Sequence, residues 1–181
     1  MMDTVPVLKG KTVLLREIMQ KDIEDRFALG KADEFVFMCG GNRNENDAFP
    51  PREIWESWYE AFKTEKYGWI IEFQGKCIGT ARLHNVSDAD RSAAYAVGIF
   101  DMSNISKGIG TEATKLILKY AFEELNFHRV EIKVLDYNKR AIRCYEKCGF
   151  KIDGILRENA FIEGKYASDI VMSILDREFA G

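Results

Sequence analysis

The sequence predicts an α/β (α+β) fold: one domain, residues 1–181, with a mixed, mostly antiparallel twisted sheet and helices on both faces. Three observations carry this. Residues 69–73 and 76–84 flank Gln74-Gly75, and residues 150–162 and 165–175 flank Glu163-Gly164, which are hairpin signals. Residues 129–135 alternate cleanly, with Val130, Ile132 and Val134 on one face and Arg129, Glu131 and Lys133 on the other, the pattern of a strand with one buried face. Between such strands lie segments with helical stripes, so the order reads β-α-α-β-β-β-α-β-α-β-β.

Taken from the start, residues 12–16 form a first strand, and residues 21–29 a short helix stopped by Gly30. Residues 39–51 are loop-like, with Gly40, Gly41, three asparagines and Pro50-Pro51. A helix follows, because Ile54, Trp55, Trp58, Tyr59 and Phe62 recur at helical spacing; these aromatics are expected in the core. After the first hairpin, residues 88–91 make a turn and residues 92–100 a strand. The helix beginning near Gly108 shows a stripe of Ala113, Leu116, Ile117, Tyr120 and Ala121, and another helix covers about 139–147. No proline follows Pro51, and no linker divides the chain.

Composition bounds the function. Hydrophobic residues at 46% and charged residues at 30% are ordinary for a globular chain. No apolar run approaches the ~18 residues of a membrane helix, and residues 1–6 show no secretory pattern. Four cysteines without an export signal point to reduced thiols and a cytoplasmic location. A net charge of −3 argues against a nucleic-acid partner. A monomer or homodimer is expected.

The stretch Lys107-Gly108-Ile109-Gly110-Thr111 opens a helix, whose first N–H groups lack intrahelical partners. Such a turn suits a phosphate or pyrophosphate. A nucleotide P-loop is excluded, because Lys107 precedes the glycines. Gly108-Ile109-Gly110-Thr111-Glu112-Ala113 matches a dinucleotide-binding fingerprint, and Asp136 supplies a later acid. Against it, about seven residues separate the strand from the glycines, and no second β-α-β half follows.

The third reading is coenzyme A, and residues 138–150 decide for it. Their pattern, N-x-x-A-I-x-x-Y-E-K-x-G-F with Cys148 at the variable position, resembles the GNAT N-acetyltransferase superfamily. The later segments Gly154-Ile155-Leu156-Arg157-Glu158, Gly164-Lys165-Tyr166 and Asp169-Ile170-Val171-Met172 resemble the branch of ribosomal-protein N-terminal and spermidine acetyltransferases. The resemblance covers about residues 8–175 and is strongest from residue 92 onward. It implies the GNAT acyltransferase fold with a splayed central strand pair. It also implies an enzyme that moves an acetyl group from acetyl-coenzyme A, used as cosubstrate without a metal, to a primary amine by direct attack. The acceptor would be a protein N-terminus or a small amine such as a polyamine. A coenzyme A-binding module without catalysis is the rival of another class.

By the same resemblance, the backbone from Gly108 through Ile109 and Gly110 to Thr111 would hold the pyrophosphate, with Lys107 adding charge. Gly98, Ile99 and Phe100 would meet the pantetheine arm by backbone pairing, and Asn138 would hold it by its amide while capping the next helix. Ile105 stands where the family usually has Gln or Arg, which removes a side-chain contact but no amide. Tyr145 matches the general acid, although Ala141, Ile142 and Tyr145 also form a core stripe. Relatives carry a glutamate before the glycine turn, where this chain has Ala93-Ala94-Tyr95-Ala96; Glu34, Glu72 and Asp101 are candidate bases by rough location only. Cys144 and Cys148 share a helix face, yet neither they nor His84 and His128 show metal-site spacing. Residues 39–62 are the expected acceptor wall.

Overall fold

The structure is a computed structural model that describes residues 5–43 and 50–181. Among these residues eight strands form one sheet in the order β1-β2-β3-β4-β5-β6-β8-β7. The strands are β1 (Leu8–Lys9), β2 (Val13–Arg16), β3 (Gly68–Phe73), β4 (Lys76–Ser87), β5 (Ser92–Ile99), β6 (Arg129–Leu135), β7 (Lys151–Ile162) and β8 (Lys165–Leu175). The helices are α1 (Lys21–Ala28), α2 (Asp33–Met38), α3 (Arg52–Lys63), α4 (Ile109–Lys119) and α5 (Lys139–Lys147).

Every pairing is antiparallel except β5 with β6. That parallel pair is short. It joins Ser92 to Arg129, Ala93 to Val130 and Ala94 to Glu131, and stops there. From Tyr95 onward β5 stays paired only with β4, while β6 continues along β8 to Leu135. The sheet therefore opens a wedge between its two middle strands.

Strand alternation explains the two cores. Trp69 and Ile71 of β3 belong to the large cluster with Ala113, Ile117 and Leu118 of α4, while Ile70 belongs to a second cluster with Phe62 and Phe100. β3 is thus buried on both faces. In α4 the expected stripe holds for Ala113, Ile117 and Ala121, and Ile109 and Leu118 join it; a π-helical turn, Tyr120–Glu124, then ends the helix. In α3, Phe62 enters the second cluster with Trp58 packed against it, while Ile54 remains exposed.

Sequence periodicity missed two elements. β1 has two residues, too few for a pattern. α2 has six, and its helix is held by tertiary contacts rather than by propensity. A buried ion pair fixes α1 beneath the sheet: Arg16 meets Asp22 through two hydrogen bonds of 2.8 and 2.7 Å and also reaches Glu72 at 2.6 Å. Among the described residues no helix is long and apolar enough to cross a membrane.

Candidate active site

The wedge leads from the sheet to the glycine turn. After β5 the chain makes a 3₁₀ turn, Met102–Asn104, capped by Asp101, whose carboxylate accepts from Ser103 N at 3.0 Å and from Asn104 Nδ2 at 2.7 Å. Asn104 in turn accepts from Lys107 Nζ at 2.9 Å, so the lysine is held beside the turn. Ser106 and Gly108 both take left-handed backbone, with φ of 64° and 82°. Alternating left- and right-handed residues at a helix start turn successive N–H groups into one concavity, a nest for an anion.

Gly108 and Gly110 serve different needs. Gly108 satisfies the positive φ. Gly110 needs no such freedom, and a Cβ there would meet only Cys144 Sγ at 3.8 Å, an ordinary contact. The chain itself does not demand glycine at 110, but a ligand approaching the backbone would. The Ile109 side chain is 2% exposed and packs in the core, leaving its backbone for any ligand. Thr114 Oγ1 donates to the Gly110 carbonyl at 2.7 Å and lies 3.1 Å from the buried Tyr95 hydroxyl, tying this turn to β5 where the wedge begins. Outside the turn, Glu112 is pinned by Thr12, which donates its N–H at 2.8 Å. This cradle suits a pyrophosphate, and the wedge suits an extended arm with amide groups.

The residues expected at a pantetheine arm divide by strand alternation. Phe100 donates its N–H to the Ile78 carbonyl at 2.7 Å, so that donor is spent on β4. In an antiparallel ladder the alternate residue, Ile99, then turns its N–H and C=O away from β4 and into the wedge. Gly98 contributes differently: a Cβ there would come within 2.6 Å of Phe35 Cε2. Its missing side chain lets α2 lie across the wedge.

That crossing is the feature sequence reasoning missed. Phe35 packs on Gly98 and stands edge-on to Phe100 at 5.0 Å. Phe37 stacks on Tyr137 at 4.7 Å and accepts from its hydroxyl at 2.6 Å. Asn138 caps α5 by accepting from Ala141 N at 3.2 Å, and its Nδ2 donates to the Met38 carbonyl, also at 3.2 Å. α2 thus bridges β5 to the loop after β6. We expect Asn138→Ala to lower stability by ~1 kcal/mol through the lost cap and to weaken acetyl-coenzyme A binding. Asn138→Ser should restore most of the stability in denaturant unfolding but not the binding; restored binding would reduce Asn138 to a cap.

Tyr145 faces inward from α5, 6% exposed, with its ring 5.8 Å from Phe150. Burial, and then the nearby thiols of Cys144, Cys39 and Cys148, push its phenol well above the ordinary value, so it stays protonated. Cys39, one of these thiols, follows α2 directly.

The candidate bases do not converge on Tyr145. Glu72 lies on β3 in its ion pair with Arg16, and Asp101 is occupied as a cap. Glu34 sits on α2, 3.9 Å from Arg43, which also meets Glu163 at 2.7 Å. Arg43 packs over Phe37 at 4.0 Å, so these charges clamp α2 to the β7–β8 turn. Of the expected acceptor wall, residues 44–49 lie outside the described residues. Among the described residues no three His, Cys, Asp or Glu side chains group as a metal site.

Comparison with known proteins agrees with this architecture. The Acetyltransferase (GNAT) domain family matches residues 12–151. A Bacillus subtilis (strain 168) protein named Probable N-acetyltransferase YjcK is 31% identical, over 94% of this chain and 97% of its own. Spermidine N(1)-acetyltransferase of Escherichia coli (strain K12) is 29% identical, over 75% of this chain and 78% of its own. A spermidine N-acetyltransferase from Vibrio cholerae, solved in complex with CoA and spermine, superposes with a TM-score of 0.76 at 23% identity, covering 95% of this chain and all (100%) of that one. Family match and full-length relative together make this chain a member of the GNAT acetyltransferase family.

Proposed function

We propose that this acetyltransferase moves the acetyl group of acetyl-coenzyme A directly onto a primary amine, with no acetylated enzyme residue on the way. The observation that carries the reading is the wedge that opens after Ala94, where β5 runs on to the Ser106–Gly108 nest; the reading adds Tyr145, buried on α5, as the acid. When bound, the cofactor supplies a thioester. The amides of Gly108, Ile109, Gly110 and Thr111 hold its pyrophosphate, with Lys107 adding charge; Ile99 pairs with its amide-bearing arm, with Gly98 and Phe100 at the rim.

Tyr145 protonates the departing thiolate. A free thiol titrates near ~8.5 and a phenol near ~10, so transfer in water would run uphill. Burial raises the phenol further, so the proton moves as the C–S bond breaks rather than to a free thiolate.

The acceptor amine must arrive neutral. An N-terminal amine with pKa ~8 is partly neutral at pH 7, whereas a lysine-like amine near ~10.4 costs roughly 4.6 kcal/mol to deprotonate. Glu34 and Glu163 are paired with Arg43, and Glu72 with Arg16. This favours a low-pKa amine such as a protein N-terminus. The second reading, a polyamine, is supported by relatives named spermidine acetyltransferases. The enzyme is read as a single catalytic domain acting in the cytoplasm as a monomer or homodimer. Screening amines and N-terminal peptides for thiol release from acetyl-coenzyme A tests the function. Release with peptides and not polyamines supports the first reading, the reverse the second. Tight cofactor binding without release from any acceptor would favour a non-catalytic module.

A further inference from the structure

Two thiols that the transfer chemistry does not use converge on the cofactor turn. Cys144 and Cys148 lie one helical turn apart at the end of α5, and both sulfurs meet Thr111 of α4. Cys144 Sγ is 3.2 Å from Thr111 Oγ1, and Cys148 Sγ donates to the Thr111 carbonyl at 3.6 Å. A Cβ added at Gly110 would lie 3.8 Å from the Cys144 sulfur. Cys144 is partly exposed, whereas Cys148 is buried.

The surroundings divide the labour between the two. The neighbouring Cys148 side chain pulls the Cys144 thiol down, helped by Thr111 and Lys147 against the effect of burial. The start of α4 favours an anion at the same spot. The closeness of Cys144, with burial, holds the Cys148 thiol up, against Lys115 and Thr114. Tyr95 and Tyr145, the other titratable side chains facing the pair, both keep their protons. Cys144 is thus the sulfur an oxidant can reach, and Cys148 is the buried one whose proton lies on the Thr111 carbonyl.

We propose that Cys144 and Cys148 are a reversible dithiol–disulfide pair whose oxidation by a hydroperoxide weakens acetyl-coenzyme A binding at the Gly108–Thr111 turn. The functional half rests on assigning that turn to the pyrophosphate. The Cys144 thiolate attacks the peroxide, forming an S–O bond as the O–O bond breaks; the leaving oxygen takes a proton and departs as water or alcohol. Cys148 sulfur then attacks Cys144 sulfur, the S–S bond forms, and hydroxide leaves with the Cys148 proton as water. The two thiols lose two electrons, and the peroxide gains them.

Helix geometry sets the two Cα atoms about 6 Å apart, inside the range for a disulfide, but closure must draw the two Cβ atoms together. Cys148 is the C-cap of α5, and Gly149 follows at φ 96°, so the last turn can unwind at its loose end. Closure draws the two sulfurs toward each other and away from Thr111, and shifts Tyr145, which lies between them in sequence.

The test treats the full chain with hydrogen peroxide, maps its peptides by mass, and measures acetyl-coenzyme A affinity by calorimetry before and after dithiothreitol. We expect a Cys144–Cys148 link with loss of two hydrogens, about tenfold weaker binding, and recovery of both on reduction. Cys148→Ser should halt at a sulfenic acid on Cys144 that dimedone traps, and Cys144→Ser should form no link. Full alkylation of both thiols after peroxide would overturn the pair. A link with unchanged affinity, while Gly110→Glu still abolishes binding, would overturn the coupling alone; unchanged affinity in Gly110→Glu would instead sink the turn assignment.

Discussion

Gly110→Glu should abolish acetyl-coenzyme A binding, with affinity falling by about 100-fold or more, ~2.8 kcal/mol. The residue sits in the first turn of α4, where free N–H groups point outward. A carboxylate there meets the pyrophosphate as like charge and takes the helix N-terminus for itself. The fold has little reason to object, because the only neighbour within 4 Å of the new Cβ is the Cys144 sulfur at 3.8 Å. Gly110→Ala is the companion variant: it should unfold no earlier than the parent, since alanine favours a helix over glycine by up to ~1 kcal/mol. Calorimetry on the folded Glu variant reads the result, and unaltered affinity would refute the pyrophosphate assignment.

Tyr145→Phe should lower turnover about 100-fold, the lower end of what general acid catalysis contributes. Acetyl-coenzyme A affinity should stay within about twofold, because the ring and its packing on Phe150 remain. The pH profile adds a signature. Burial raises the Tyr145 phenol, so its working, protonated form is present throughout the neutral range and is lost only as pH rises through a value above the ordinary ~10. The parent enzyme should gain rate with pH as the acceptor amine loses its proton, and show no fall from Tyr145 below about pH 9.5. Equal turnover in the Phe variant would remove Tyr145 from the mechanism.

The proposed cofactor half of this site rests on stretches legible in the sequence, while the proposed acceptor half was largely hidden. The Gly108–Thr111 turn and residues 138–150 lie in continuous stretches whose spacing is their signal. The wedge could be expected from family resemblance, and its start at Tyr95 became visible only in the strand pairing. Ser106 escaped notice because a serine carries no mark of left-handed backbone. α2 escaped because six residues make no stripe; its position depends on Phe35 meeting Gly98 and Phe37 meeting Tyr137, partners far away in sequence. For the same reason composition could not show that Asn138 is tethered to Met38, or that Arg43 holds Glu34 and Glu163.

The central claim is direct transfer from a cofactor held at the glycine turn to an amine. A single-turnover experiment tests it most directly: the enzyme is mixed with acetyl-coenzyme A labelled in the acetyl group, first alone and then with an accepted amine. The account predicts no label on the protein in the first case. In the second it predicts label on the amine, with one free coenzyme A thiol for each amine acetylated. Label retained on a protein side chain before the amine is added, and passed on afterwards, would contradict it.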